Sequence, residues 1–493
     1  MTAVAEIHQT TLQPTKLELL TNWLPRQRWY ASKGRTPVLR KLGGFRLDDP
    51  AGQVGIEVMV VADECGPQPV VYQVPMTYRG APLAGAEHAL IGTTEHGVLG
   101  ARWVYDAPHD EVFAAQLVAL IQGQVKAQAQ SQSDTPDPTV QGHAVDADVV
   151  TLASSAVMRG EQSNTSIVCH VLAASGAAAK PVIVKVFRTL HPGENPDVVV
   201  QSALTEAGST QVPHTVGYVA GEWSDPVSGE HLRGHLVFAQ QFLPGVEDAW
   251  RVALRAATAG EDFTESAHEL GAATAHIHLS LAAALGAVPG DDDVKAELVR
   301  IIRSRYDAAV AEVPSLAVHE QVVAASLEEL AARDWPDLQR VHGDYHLGQV
   351  LRTSDGWVAV DFEGEPLRPL HERVRPDLAL RDVAGMLRSF DYVGGSVELT
   401  QPGRSAPAWV AACRAAFLGG YGAVTHLDLA RAAPVLRALE LDKALYEVIY
   451  EVRNRPSWLG IPLAAIDRLV AESSTTTSDS SVQQGAVARK GAS

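Results

Sequence analysis

The stretch RVHGDYHLGQVLRTSDGWVAVDFEGEP, residues 340 to 366, does most to limit what this chain can fold into. It reads as strand, turn and strand between Val341 and Phe362, yet it lies inside a half that is otherwise helical, with Ala/Leu-rich amphipathic segments from Ala249 to about Val470. Two aspartates, Asp344 and Asp361, close its short apolar runs, and the amide Gln349 follows the first of them. On their own, two such aspartates are also what the turns flanking an ordinary hairpin would carry.

The rest of the chain is organised differently. LELLTNWLPRQRWY (17–30) is a helical pattern broken by Pro25, and the next hundred residues alternate apolar and polar in short runs. VGIEVMVVAD (54–63) and PVVYQVPMTY (69–78) are strands joined by ECGPQ, because β-branched residues suit a pleated, half-buried surface. After a helical EVFAAQLVALIQ (111–122), the stretch 124–148 is largely polar without periodicity, which predicts a linker or loop. Three further strands, VVTLASSAVM, SIVCHVLAA and PVIVKVF, fill 149–187, a helix follows near 197–207, and HLVFAQQFLPG (235–245) is another strand. The expected division is therefore a strand-rich cap (1–123), the linker, a β-rich unit (149–245), a helical unit (246–472) and a disordered polar tail (473–493).

With 40 basic against 58 acidic side chains the formal charge is −18, which argues against nucleic acid or an anionic membrane as a main partner. No leader pattern and no spanning apolar run occurs, and Cys65, Cys169 and Cys413 lie far apart, so a reducing, cytoplasmic setting is expected. His268, His276 and His278 cluster in sequence without a metal-type spacing and read as packed or surface imidazoles.

Moving a phosphoryl group from a nucleotide requires a carboxylate near the acceptor hydroxyl, a metal bridging the phosphates and oxygen ligands for that metal. Asp344, Gln349 and Asp361 supply those parts. Their spacing is that of D-x-x-x-x-N followed by a strand and D-F-G in protein kinases, with Gln for Asn and Asp-Phe-Glu-Gly for Asp-Phe-Gly. Upstream, Lys185 sits inside VIVKVF, where a buried ammonium calls for an anionic partner such as phosphate oxygens. The preceding turn GEQSNTS (160–166) offers backbone N–H groups and the side chains of Ser163, Asn164, Thr165 and Ser166 to phosphate, although it is poor in glycine. The end of the strand VFAQQFLPG puts Gln241 to Leu243 where an adenine edge would be read.

Taken together with WLPRQRWYASKGR, VKVFR, NPD (195–197), LRDVAGMLRSFDY (380–392) and ELDKALYEVIYEVRNRPSWLGIPL, these residues resemble the maltokinases. That family is itself similar to the aminoglycoside phosphotransferases and eukaryotic-type kinases. The resemblance implies an α+β, bilobal protein-kinase-like fold with an additional N-terminal strand-rich cap and with ATP held between lobes. It further implies transfer of the ATP γ-phosphate to the anomeric hydroxyl of maltose, giving maltose 1-phosphate for α-glucan (glycogen) synthesis. By that analogy Asp344 is the base, Gln349 and Asp361 hold Mg2+, and Lys185 steadies the nucleotide phosphates. His346, Arg352, Tyr446, Glu451 and Trp458 are the sugar-binding candidates. Other acceptors, glucosamine or an aminoglycoside, or a catalytically silent binding protein, are the alternatives, and association with a trehalose- or glucan-metabolising enzyme is a further option. In the family pattern a glutamate usually follows NPD after one residue, a candidate partner for the strand lysine; here that position is Val199, and Glu206 would need a shifted helix to replace it.

Overall fold

The computed structural model describes residues 11–130, 134–146, 148–158, 163–365, 368–401 and 406–472. Gly160, Glu161 and Gln162 of the expected phosphate turn, and the tail 473–493, lie outside the described residues. The chain divides into two compact units, Met1–Glu206 with Pro213–Pro244, and Ala207–Val212 with Gly245–Ser493.

The first unit contains strands β1 (Leu12–Gln13), β2 (Leu39–Leu47), β3 (Gly55–Asp63), β4 (Val70–Arg79), β5 (Leu90–His96), β6 (Gly100–Asp106), β7 (Gln128–Ala129), β8 (Gln141–Ala144), β9 (Val150–Val157), β10 (Asn164–Ala173), β11 (Val182–Phe187), β12 (Thr215–Ser224) and β13 (His231–Gln241). Helices α1 (Lys16–Trp23), α2 (Glu111–Ile121) and α3 (Pro196–Glu206) accompany them. The strands form two antiparallel sheets, ordered β1-β5-β6-β4-β3-β2-β7 and β8-β12-β13-β11-β10-β9. Because side chains alternate along a strand, β3 serves two cores. Ile56, Val58, Val60 and Ala62 join a core that also takes in Phe113 and Leu117 of α2 and Val184, Val186 and Phe187 of β11. Met59 and Val61 face Trp23, Trp29 and Tyr72 on the other side. One apolar core therefore draws on both sheets.

The stretch expected to be a linker is partly sheet. β7 pairs with β2 and β8 with β12, at one edge of each sheet. An edge position asks for backbone pairing more than for apolar side chains, so Gln-rich sequence is compatible with it. β12 was not evident in the sequence, since Gly217 and Gly221 dilute its apolar run.

The second unit is mainly helical: α4 (Ala249–Ala259), α5 (Thr264–Leu285), α6 (Asp292–Glu312), α7 (Glu320–Ala332), α8 (Leu370–Arg373), α9 (Leu380–Thr400), α10 (Pro407–Thr425), α11 (Leu429–Asn454) and a last helix over 460–472. Short strands β14 (Glu247–Asp248), β15 (Ala287–Val288), β16 (Leu338–Gln339), β17 (Val350–Thr353), β18 (Gly356–Ala359) and β19 (Asp377–Leu378) form two small sheets, β14-β17-β18 and β15-β16-β19. α5 and α10 pack backbone to backbone. A Cβ on Gly271 would stand 2.0 Å from Phe417 O, and one on Gly420 2.0 Å from His268 O. Among the described residues no helix is long and apolar enough to cross a membrane.

Candidate active site

The expected hairpin island is β17–β18, with Val350 opposite Ala359 and Thr353 opposite Gly356. This register brings the residues just outside it together. Gln349 Nε2 donates to Asp361 Oδ2 at 3.0 Å, and Val360 N–H donates to Gln349 O at 3.0 Å. With the amide nitrogen directed at the carboxylate, the Gln349 carbonyl oxygen is the end able to ligate a cation. Asp361 adopts φ +68°, left-handed backbone that Asp tolerates better than most residues.

The Asp344 loop is held from beneath by a buried carboxylate. Asp382, in the first turn of α9, accepts from His342 N–H at 2.8 Å and from Gly343 N–H at 2.9 Å. Gly343 takes φ +83°, a conformation that suits glycine. The same carboxylate meets His278 Nε2 of α5 at 3.0 Å, and His278 Nδ1 meets Tyr421 Oη of α10 at 3.0 Å. Burial pushes the Asp382 carboxyl up, but His278, His342 and the Gly343 N–H outweigh it and leave it below the usual carboxylate range. His342 Nε2 lies 3.0 Å from Val360 O, and its ring packs on Phe362 with centroids 4.6 Å apart, so the loop is tied to the Asp361 segment as well.

Asp344 itself faces Lys443 of α11, with Oδ1 to Nζ 3.3 Å, and Lys443 also lies 3.9 Å from Glu365 Oε1. Burial raises the Asp344 carboxyl, but Lys443, His346 and His342 together hold it below its ordinary value. Burial likewise lowers the Lys443 ammonium, yet Asp344, Glu365 and Glu447 raise it above its ordinary value, so the pair is ionised. His346 is pushed down by burial, and its Nδ1 accepts from Gly348 N–H at 3.0 Å.

The sugar candidates separate. Tyr446 belongs beside Asp344, with Lys443 Nζ 5.3 Å from its ring centroid. Arg352 does not: it pairs with Glu269 at 2.7 Å and lies over Trp357, lining a different surface with His276 and Asp355. Glu451 is fully buried and accepts from Tyr392 Oη at 2.9 Å and from Arg455 at 2.6 and 3.0 Å, so its oxygens already serve the fold. Trp458 is stacked on Tyr392, centroids 6.2 Å apart, with Arg455 over its ring. Tyr345 is buried, with Oη 3.1 Å from Thr274 Oγ1.

In the first unit, Lys185 of β11 donates to Asp197 Oδ2 at 2.8 Å, and the Asp197 side chain is fully buried. The acid paired with the strand lysine is thus the aspartate of NPD itself, two residues before Val199. Asp197 N–H donates to Asn195 Oδ1 at 2.9 Å, and Gln201 Nε2 donates to Asp197 Oδ1. Ser166 stands opposite Lys185 in the β10–β11 register, on the same sheet face; its hydroxyl is buried with no partner among the described residues. Asn164 shares that face by alternation. Thr165 faces the other way, buried, and its hydroxyl accepts from Arg188 Nε at 2.8 Å, so it does not join a phosphate-facing set. Ser163 is exposed at the strand entrance. Gln241 N–H is committed to His214 O at 2.8 Å and Phe242 N–H to Pro181 O at 2.7 Å; Leu243 follows beyond these bonds.

Sequence reasoning missed Lys443, Asp382 and the role of Asp197 as the partner of Lys185; His278, read as a packed or surface imidazole, is packed and buried. The one available signal was a carboxylate or cation at a buried helix position, as in LRDVAGM and ELDKAL.

Comparison with known proteins shows the family and the fold. Residues 23–110 match the maltokinase N-terminal cap domain, and residues 175–435, more than half of the chain, match the phosphotransferase enzyme family. A glucosamine kinase of Streptacidiphilus jiangxiensis is 33% identical over 291 residues, 55% of this chain and 64% of that protein, so the chain spans a little under two thirds of that relative's length. A glucosamine kinase of Mycolicibacterium smegmatis (strain ATCC 700084 / mc(2)155) is 29% identical over 343 residues, 64% of this chain and 79% of its own length. The structure of a glucosamine kinase in complex with glucosamine, ADP and inorganic phosphate superposes with a TM-score of 0.63 at 24% identity, covering 92% of this chain and 99% of the other. The fold is therefore the kinase-like fold of the aminoglycoside phosphotransferases, and the chain belongs to the phosphotransferase enzyme family, with a maltokinase-type cap at its N-terminus.

Proposed function

We propose that this protein transfers the γ-phosphoryl group of ATP to a sugar hydroxyl, and that the acceptor is maltose, phosphorylated at its anomeric hydroxyl to maltose 1-phosphate for α-glucan synthesis. The observation that carries the chemistry is the second unit's oxygen set: Gln349 and Asp361 in contact at 3.0 Å, on a hairpin whose preceding loop presents an ionised Asp344. An amide oxygen and carboxylate oxygens are hard donors of the kind Mg2+ prefers, so the residues present fit that ion. When bound, the ion supplies charge neutralisation on the phosphate oxygens. Asp344 accepts the proton of the acceptor hydroxyl as it attacks, Lys185 holds nucleotide phosphate oxygens while Asp197 fixes its ammonium, and Asp382 keeps the Asp344 loop in place.

For the acceptor, the charge around Asp344 supports a neutral sugar. Among the described residues lining the cavity there, Asp344, Glu365, Asp382 and Asp442 are balanced by Arg305, Arg368, Arg381 and Lys443. A cationic amino sugar would meet the Lys443 ammonium beside the base, 3.3 Å from Asp344. The Tyr446 ring nearby carries the Lys443 and Arg305 cations, 5.3 and 5.6 Å from its centroid, which adds positive charge beside the base. The maltokinase-type cap supports the same reading. The second reading, glucosamine as acceptor, is favoured by the glucosamine kinases to which the chain is similar. An ADP-release assay over maltose, glucose, glucosamine and an aminoglycoside, run with wild type and Asp344→Asn, separates the two. Turnover with maltose that vanishes in the variant supports the proposal; preference for glucosamine sinks the maltose assignment, and activity retained in the variant sinks the base.

A further inference from the structure

The strand that carries Lys185 does not end its pairing at Phe187. Gln73 N–H donates to Arg188 O at 2.9 Å, Leu190 N–H donates to Val71 O at 2.9 Å, and Tyr72 and Thr189 form an antiparallel bridge between those bonds. Residues 188–190 are therefore zipped to β4 of the seven-stranded N-terminal sheet, while 182–187 belong to the other sheet. The buried Gln73 side chain adds two bonds across the same seam, from Nε2 to Phe187 O and to Leu236 O, each 3.0 Å.

Arg188 sits at the centre of this seam and is fully buried. Its Nη2 donates to Asp106 Oδ2 at 2.7 Å at the end of β6, its Nε donates to Thr165 Oγ1 on β10, and the guanidinium lies 4.8 Å from the Trp29 ring centroid. Nη1 is buried with no hydrogen-bond partner among the described residues. A guanidinium placed this way is a costly filler, because an apolar side chain would occupy the space without desolvating a charge. What it does that an apolar residue cannot is join three elements by directed bonds: the N-terminal sheet, β10 and the Lys185 strand. Lys185 lies just before this clamp, and Asp197, its acid, lies just after the zipped segment on α3.

We propose that Arg188 is a positioning residue through which the N-terminal sheet sets the Lys185–Asp197 pair, so that the cap is part of the support of phosphate binding rather than an appendage. The proposal rests on the reading of Lys185 as the phosphate-holding ammonium. The test uses full-length Arg188→Met, Lys185→Met and the double variant, with kcat, the KM for each substrate, and the rate at which Lys185 is labelled by an amine-acylating reagent, followed by mass spectrometry. Arg188→Met is expected to lower kcat about 10- to 100-fold, as misplacement of a working group does, to leave the KM for sugar unchanged, and to speed labelling of Lys185. On the Lys185→Met background it should cause no further loss. If Arg188→Met turns over within twofold of wild type, or costs as much with Lys185 absent as with it present, the proposal is wrong. Should Arg188→Met fail to fold, Gln73→Met removes two bonds of the same seam and is held to the same outcomes. Full activity in Lys185→Met would instead overturn the phosphate-binding reading, while faster labelling of Lys185 in Arg188→Met would still report the coupling across the seam.

Discussion

Replacing Lys443 with Met tests whether the ammonium beside Asp344 tunes it. The two charges lie 3.3 Å apart with 30% and 23% of their side chains exposed. At that distance and an effective dielectric near 20, the attraction is about 5 kcal/mol. Partial solvent access and the desolvation of both ions reduce the net effect to about 1–2 kcal/mol. In the proposed role of base Asp344 must be ionised, and Lys443 opposes the burial that pushes its carboxyl up. Without Lys443 that burial is less opposed, so the acid limb of kcat/KM against pH should move to higher pH. On that limb activity should fall about tenfold, with a smaller change on the plateau. The same sign governs stability. A carboxyl depressed in the folded protein stabilises it above the unfolded-state value, and that contribution is lost as pH falls through the lowered folded value. In Lys443→Met the acid loss should begin at higher pH. The measurement is initial-rate ADP release with maltose over roughly pH 4 to 8, with thermal melts on the same samples. An unmoved limb and an unchanged rate would refute the claim that this ion pair sets the protonation of the base.

Asp197→Asn should lower kcat at least about tenfold by releasing the Lys185 ammonium, whereas Glu206→Gln should stay within about twofold; equal losses in the two variants would return the acid role to Glu206. Gln349→Leu removes one oxygen donor beside Asp361 and should raise the Mg2+ needed for half-maximal rate by about 10-fold, while Gln349→Asn should recover part of it; identical Mg2+ titrations in all three proteins would exclude Gln349 as a ligand. Asp382→Ala leaves two loop N–H groups and His278 without their shared acceptor and should destabilise the protein by about 2–4 kcal/mol in urea melts, with a shift below 1 kcal/mol contradicting its anchoring role.

How far the sequence carries follows from which forces act locally. The β17–β18 hairpin and its flanking Asp344, Gln349 and Asp361 are legible because a fixed register over a short loop sets which residues meet. The strand lysine is legible because an ammonium inside VIVKVF is anomalous in itself. Its partner was not, since Asp197 reaches Lys185 through helix placement after the β11–α3 connection, and the expectation of a glutamate two residues on drew attention to Val199 instead. Lys443 was missed for the same reason, since it meets Asp344 from a helix far away in sequence, and the Asp382 partner of the packed His278 is equally distant. Glu451, by contrast, looked like a sugar ligand from its neighbourhood, and the distant Tyr392, together with Arg455 four residues on, already fills its acceptor sites. Thr165 shows the limit within a single strand, where alternation puts it on the face opposite Ser166.

Those distant partners also explain a feature that is expensive in stability. Arg388 of α9 is buried and bonded to Glu447 of α11 at 2.6 Å and to Asp391, while Arg414 and Arg468 both reach Asp391 and Glu440. Nearby, Arg381 pairs with Asp377 at 2.6 Å and with Asp442 at 3.1 Å, and Arg305 also reaches Asp442. Apolar residues of equal volume would hold these helices together at least as strongly, because each buried charge must first be desolvated. Charged pairs, however, have one acceptable register, whereas an Ala/Leu face can slide by a turn with little loss. α9 carries Asp382, which anchors the Asp344 loop, and α11 carries Lys443, which faces Asp344. A one-turn shift of either helix, about 5.4 Å, would remove the anchor or the ammonium altogether. The buried network thus fixes the register that the Asp344 loop depends on, and Glu447→Gln, which keeps the shape of the pair and weakens its charge, should loosen that register. The expected result is a raised KM for the sugar and a blurred acid limb with only a modest change in melting temperature; a large loss of stability with normal kinetics would show that the network serves the fold alone.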